Sequence, residues 1–317
     1  MLSGLPWTTL AALLCAGVAL DLLLGEARRF HPLIGFGNLA YALERHLNRG
    51  PLRRLRGLLG WGLAVLPITV LAVYLCGPGG LAAHALMLYF CLGLRSLREH
   101  NIPIARALAA GNLAQARELT ARIVSRDTAN ASEADLAKAS AESLLENGND
   151  AVFGTLFWFA IAGGPGAVLF RLANTLDAMW GYRNTRFLEY GCVAARMDDA
   201  LNYIPARLTA MSYVLLAPTP EARRRALHCW REQASAWGSP NGGPVMSSGA
   251  GALGVALGGD AVYDGAVEHR PPLGKGAPAR GVDIARAWQL VARTTGLWLF
   301  CAVLAALPLY LNGLSHA

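Results

Sequence analysis

The sequence predicts an all-α fold, a polytopic membrane helical bundle with cytoplasmic helical and irregular loop segments. Three observations predict it. Hydrophobic residues make up 54% of the 317 positions and charged residues 15%, whereas a soluble globular domain carries about 25% charged residues. Mean hydropathy is +0.34. The apolar residues are gathered in long blocks instead of recurring at core periodicity, so one integral membrane domain over 1–317 is expected.

A membrane-spanning helix needs roughly 20 apolar residues. Residues 7–24 hold Asp21 as their one charge, and 57–94 hold none. The second block is interrupted at Gly77-Pro78-Gly79-Gly80 and reads as two spans, 57–76 and 81–94, joined by a tight turn. A further span is expected at 297–314. Residues 151–170 are free of charge but contain Gly163-Gly164-Pro165-Gly166, which marks them as re-entrant or protein-buried. Residues 200–218 carry Arg207 and are expected to span. The first apolar block lacks a preceding Lys or Arg and a small-residue cleavage site, so a retained anchor is expected over a cleaved leader.

Orientation follows from basic residues. Between Gly25 and Arg56 stand seven arginines against two glutamates, and between Glu221 and Arg293 nine basic residues. Cytoplasmic loops carry that excess, which places 25–56 and 221–293 in the cytoplasm, and alternation of the spans puts 95–150 on the same side. The net charge of +7 resides in these juxtamembrane loops and suits anionic membrane lipid. No nucleic-acid partner is expected, because no helix-turn-helix or RNA-binding signature accompanies the charge.

The six cysteines form no CxxC pair and the seven histidines no HExxH, so neither a disulfide framework nor a transition-metal site is expected. Strand signals are weak, and the Gly-, Ala- and Pro-rich stretch 242–281 reads as irregular. It contains Gly249-Ala-Gly251-Ala-Leu-Gly254, a literal GxGxxG that follows no predicted strand. Those glycines suit either close helix packing or backbone approach to a phosphate. There is no GxxxxGK[ST].

Ionisable groups crowd between Glu142 and Asn202. Glu142, Glu146 and Asp150 are spaced i, i+4, i+8, one face of a helix. Stacked like charges repel, and Mg²⁺ with one or two carboxylates, waters and phosphate oxygens would resolve the conflict; a solvated acidic face is the alternative. Asn174, Asp177 and Arg183 flank Trp180 and Tyr182, which could equally be an interfacial aromatic belt. Arg196, Asp198, Asp199, Asn202 and Arg207 form a third group, and an arginine in an apolar run needs an anionic partner.

Together these motifs resemble the membrane family of adenosylcobinamide-phosphate synthases. The resemblance covers nearly the whole chain: Asp21-(x)₃-Gly25, His31-Pro32, Ser125-Arg126-Asp127-Thr128, Glu142-Ser143, Glu146-Asn147-(x)₂-Asp150, Asn174-Thr175-Leu176-Asp177, Gly181-Tyr182-Arg183, Asp198-Asp199-(x)₂-Asn202, Pro205-Ala206-Arg207 and Ser239-Pro240-Asn241. A local departure is Phe153-Gly154-Thr155-Leu156-Phe157, where a proline would be expected. The resemblance implies ATP-dependent amide ligation, with Mg²⁺, of aminopropanol or its O-phosphate to the corrinoid adenosylcobyric acid. Phosphoryl transfer depends mostly on positioning and charge neutralisation. Glu142, Glu146, Asp150, Asp198 and Asp199 are candidate metal holders. Arg126, Arg183 and Arg207 are candidate phosphate clamps, and Asp127 or Asp177 candidate acceptors of the amine proton. Asn174, Asn202, Asn241, Gly249 and Gly251 complete the candidate cofactor-binding positions, and contact with other cobalamin-pathway enzymes at the membrane is expected. The alternative from another class is a non-catalytic inner-membrane sensor related to β-lactamase induction proteins.

Overall fold

A computed structural model describes residues 3–27, 31–263 and 265–314; Arg28 and Arg29 of the first basic loop lie outside them. The protein is an all-α polytopic membrane protein. Among the described residues, four stretches of helix are long and apolar enough to cross a membrane: Trp7–Leu24, Arg53–Ala109, Glu133–Trp180 and Gly281–Pro308. The chain divides into two units, Met1–Gly93 with Asp150–Asn202 and Leu299–Ala317, and Leu94–Asn149 with Tyr203–Trp298.

The first unit is built on α1 (Trp7–Leu24), α2 (Pro32–Leu47) and α3 (Arg53–Cys91). Gly25 at φ 70° ends α1, its N–H bonding Asp21 O, a conformation that costs glycine no Cβ clash. His31 caps α2 by accepting the Leu33 N–H at 3.2 Å, and Pro32 supplies the preset φ of a first helical residue. The run predicted as two spans with a tight turn is α3, broken at Gly80 (φ 51°). Cys76 Sγ and Met87 Sδ stand 4.0 Å apart, whereas eleven residues of straight helix span about 16 Å, so the chain bends back there.

A five-residue π-helical turn, Asn149–Phe153, leads into α7 (Gly154–Trp180); α4 to α6 belong to the second unit. Helix α7 is broken at Ala162 and Gly163. Gly154 lies against the Phe170 ring and Gly166 against the Trp158 carbonyl, while sixteen residues of straight helix would separate Gly154 and Phe170 by about 24 Å. The apolar run 151–170 therefore doubles back on itself. Pro165 falls in the first turn after the reversal, where its missing N–H leaves no gap. The Gly164 N–H beside it is accepted by His84 Nδ1 at 2.9 Å, a side-chain cap supplied from α3.

Helix α8 (Cys192–Leu215) begins in this unit. The stretch 200–218, expected to span, is not among the four membrane-length stretches; α8 carries Arg196, Asp198, Asp199 and Arg207. The core gathers Phe36, Trp61, Val65, Leu176, Trp180 and Tyr190. The loop before α8 is fixed by Arg186, whose Nε and Nη2 donate to the two oxygens of Glu44 at 3.0 and 2.6 Å. These bonds, first of all causes, hold the Glu44 carboxyl below its ordinary range.

In the second unit α4 (Leu94–Ala109) and α5 (Leu113–Ala121) precede α6 (Glu133–Gly148). A reciprocal Ser132–Asp135 capping box starts α6. Thr219 caps α9 (Pro220–Gln233). The stretch expected to be irregular is instead α10 (Gly242–Leu253), wholly buried, followed by short strands β1 (Val255–Gly258), β2 (Ala261–Tyr263), β3 (Ala266–Glu268), β4 (Pro272–Leu273) and β5 (Ala277–Pro278). Strand β1 pairs antiparallel with β4 and parallel with β5, and β2 with β3 forms a hairpin. Strands of two to four residues are too short to show an alternating pattern, which is why sequence periodicity misses them. Helix α11 (Gly281–Leu314) closes the chain.

Gly163→Ala tests the reversal in α7. The residue adopts φ 65°, and an added Cβ would lie 2.6 Å from His84 Nδ1. Left-handed backbone and overpacking together are expected to cost about 2–4 kcal/mol, read as a lower unfolding temperature of the detergent-solubilised protein. An unchanged transition would show that the bend does not need glycine.

Candidate functional site

Helix α6 turns Glu142, Ser143, Glu146 and Asn147 into a cleft of about 590 Å³ in the second unit, shared with Arg126 and Arg270. Glu142 is buried, 3% exposed, and its charge is fully engaged. Arg126 Nη2 donates to Oε2; Arg270 donates to Oε2 at 3.2 Å and Oε1 at 3.3 Å; the Gly258 N–H donates to Oε1 at 2.7 Å. Two guanidiniums surround one carboxylate here, and Glu146 and Glu268 also line the cleft. Arg126 Nε and Nη1 are buried with no partner, and unmet buried donors of a cation call for an anion. The Arg270 guanidinium also lies 5.3 Å from the Trp237 ring centroid.

The expected i, i+4, i+8 face is therefore divided by role. Glu142 is an internal counter-ion, each of its oxygens accepting two hydrogen bonds. Glu146 is half-buried in the cleft beside Ser143 and Asn147, whose Nδ2 donates to Ser143 Oγ at 3.1 Å. Asp150 falls in the π-helical turn of the first unit, where its Oδ1 accepts from Asn202 Nδ2 at 3.1 Å.

The same Asn202 amide lies 3.4 and 3.3 Å from the two oxygens of buried Asp198, and Asn174 Nδ2 donates to Asp198 Oδ1 at 3.2 Å. The structure thus brings together Asn174, Asn202, Asp150 and Asp198, which the sequence reading had assigned to three separate groups. Burial, then the neighbouring charges of Asp150 and Asp177, pushes the Asp198 carboxyl well above its ordinary range, against the pull of the two amides. Asp199 is half-buried beside it in sequence, and Arg183 is exposed. Among the described residues, no three His, Cys, Asp or Glu side chains are arranged to hold a metal ion.

Other candidates have local structural partners. The Asp127 backbone N–H donates to Val262 O at 2.8 Å and its Oδ2 accepts the Gly265 N–H at 2.7 Å, clasping the β2–β3 hairpin. Arg207 Nη1 donates to Asn241 Oδ1 at 2.7 Å, and its guanidinium lies 3.6 Å from the Tyr203 ring centroid. Gly249 faces the Leu145 side chain on α6, and Gly251 faces the Ala226 backbone on α9. Of the two uses open to those glycines, the structure shows close helix packing. Sequence reasoning missed Arg270 and Trp237. Neither has a spacing signature, and Arg270 meets Glu142 across 128 residues.

Glu142→Gln would leave two guanidiniums facing each other without a counter-charge, a loss on the order of 3–5 kcal/mol. Glu146→Gln is expected to unfold within a few degrees of the parent. Thermal unfolding of both purified variants distinguishes the duties of these two glutamates; a parental melting curve for Glu142→Gln would refute the counter-ion role.

Comparison with known proteins agrees with the resemblance drawn from the motifs. The family model for the CobD/Cbib protein matches residues 14–291. The chain is 55% identical to the cobalamin biosynthesis protein CobD of Stutzerimonas stutzeri, over 88% of this chain and 92% of the relative. It is 49% identical to that of Chromobacterium violaceum, over 97% and 99%, and 38% identical to that of Rhodobacter capsulatus, over 94% and 98%. These names favour biosynthesis over the sensor alternative. No solved structure matches the chain. Across almost its whole length, this chain belongs to the CobD/CbiB family.

Proposed function

We propose that this protein is an ATP-dependent ligase of cobalamin biosynthesis that attaches aminopropanol, or its O-phosphate, to a propionate carboxylate of adenosylcobyric acid. Membership of the CobD/CbiB family supports the pathway. The observation that carries the chemistry is the pair of unpartnered, buried Arg126 nitrogens in the cleft that also holds Glu146. A cleft of about 590 Å³ is of the size that suits a small-molecule or nucleotide ligand, roughly 300–1,000 Å³.

A carboxylate becomes a competent electrophile when a phosphoryl group is transferred to it, after which the amine displaces phosphate to form the amide. In this reading Arg126 and Arg270 bind the phosphate oxygens and keep them oriented, and the Trp237 face limits water access to that end of the cleft. Glu146, Ser143 and Asn147 offer hard oxygen donors on one helix face, which fits Mg²⁺ with its retained waters. The Asp150–Asp198 pair in the first unit is a second oxygen-rich set of the same chemistry. Bound Mg²⁺ would neutralise phosphate charge.

The genetic test contrasts two supplements. A strain lacking the gene is expected to fail on cobyric acid and to grow on cobinamide, which already carries the amide-linked arm. Arg126→Gln is expected to complement at no more than about a hundredth of parental activity while reaching the membrane, the scale of losing one charge-stabilising donor. Growth of the deletion strain on cobyric acid would overturn the assignment.

The reversal in α7 bears on topology. We propose that 151–170 enters the bilayer and returns, so that 171–199, with Asn174 and Asp177, faces the cytoplasm where ATP is available. Irregular backbone at membrane depth is tolerated when buried in protein, and Gly163 to Ala167 are buried. Asn184→Cys is expected to resist a membrane-impermeant thiol reagent in intact cells and to react after permeabilisation. Labelling in intact cells would place that loop outside.

A further inference from the structure

The first unit contains a cavity of about 940 Å³ between α2, α3 and α7, whose lining includes Pro32 of the His31-Pro32 motif and none of the candidate site residues. Its walls are apolar: Phe36 and Leu39 from α2, Ile68, Leu86 and Phe90 from α3, and Leu172 from α7. One cation interrupts them. Arg171 lines the same cavity, its Nε is buried with no hydrogen-bond partner, its Nη1 stands 3.4 Å from Asn174 Oδ1, and Asp150 and Glu26, which are not part of the lining, act on it electrostatically.

Each half of this site specifies part of an occupant. An apolar cavity does not hold ordered water well, because water needs two to four polar partners there, whereas acyl chains are the apolar material at hand for a helical membrane unit. A guanidinium set among membrane helices is stabilised by an anionic oxygen, and basic pockets between such helices take up acidic lipid headgroups. The bidentate geometry of arginine matches a phosphate.

We propose that this cavity binds one phospholipid of net negative charge, its acyl chain against Phe36, Ile68 and Phe90 and its phosphate on Arg171. The site lies wholly within the first unit and is separate from the Arg126 cleft of the second. Its occupancy therefore makes the stability and packing of α2, α3 and α7 dependent on acidic lipid, since a ligand that binds only the folded state stabilises it.

The experiment uses the full chain, purified in mild detergent, exchanged into mixed micelles containing equal phosphatidylglycerol and phosphatidylcholine, and examined by native mass spectrometry. The parent is expected to retain about one phosphatidylglycerol per chain, in preference to phosphatidylcholine by about tenfold, the scale of one charge-assisted hydrogen bond. Arg171→Gln is expected to abolish the preference, and Arg171→Lys to restore most of it. Ala83→Phe, which fills the cavity from α3, is expected to lose both lipids. If that variant does not fold, the Arg171→Gln and Arg171→Lys pair decides alone. Equal retention of the two lipids by the parent, or an unchanged preference in Arg171→Gln, overturns the proposal. Displacement of phosphatidylglycerol by cobyric acid at one equivalent would also overturn it and assign the cavity to the corrinoid.

Discussion

Glu142 sits out of reach of water between two arginines from different parts of the chain, and the second unit is organised around that charge. Removing a carboxylate from water costs several kcal/mol, which is recovered only when its lone pairs are met by well-placed donors. Arg126 from the segment before α6, Arg270 after the β2–β3 hairpin and the Gly258 N–H at the end of β1 meet them. One side chain on α6 therefore fixes the cleft wall, the short sheet and the hairpin in register. The buried Arg126 nitrogens that remain without a partner are what make that part of the cleft attractive to an anion.

The hairpin is held independently by Asp127, which takes the Gly265 N–H. Asp127 stands next to Arg126 in the chain, so the residue that fastens the hairpin and the residue that offers free donors to the cleft move together. That adjacency makes Ser125-Arg126-Asp127-Thr128 one structural unit. Thr128 joins it by donating its hydroxyl to Arg117 O at 3.0 Å.

In the first unit the governing constraint is the unpaired backbone that any break in a membrane helix creates. The α7 reversal exposes the Gly164 N–H, and His84 accepts it from α3. His84 is buried and edge-on to Phe159, so the polar repair is enclosed in apolar packing. Glycines at 154, 163, 164 and 166 allow backbone and side chains to approach where a Cβ would collide with Phe170, His84, Met87 and Trp158.

Much was legible in the order of residues alone. Apolar block length set the membrane class, and the Gly- and Pro-rich breaks holding Gly80 and Gly163 marked where the chain turns. These are properties of contiguous residues, fixed by transfer of the segment from water and by local backbone freedom. Which arginine neutralises Glu142, whether Gly249 and Gly251 face a phosphate or a helix, and which oxygen donors share Asn202 were decided by tertiary structure. Those pairings join residues up to 128 positions apart, and a charge finds its counter-charge through the path of the folded chain, which no local period records.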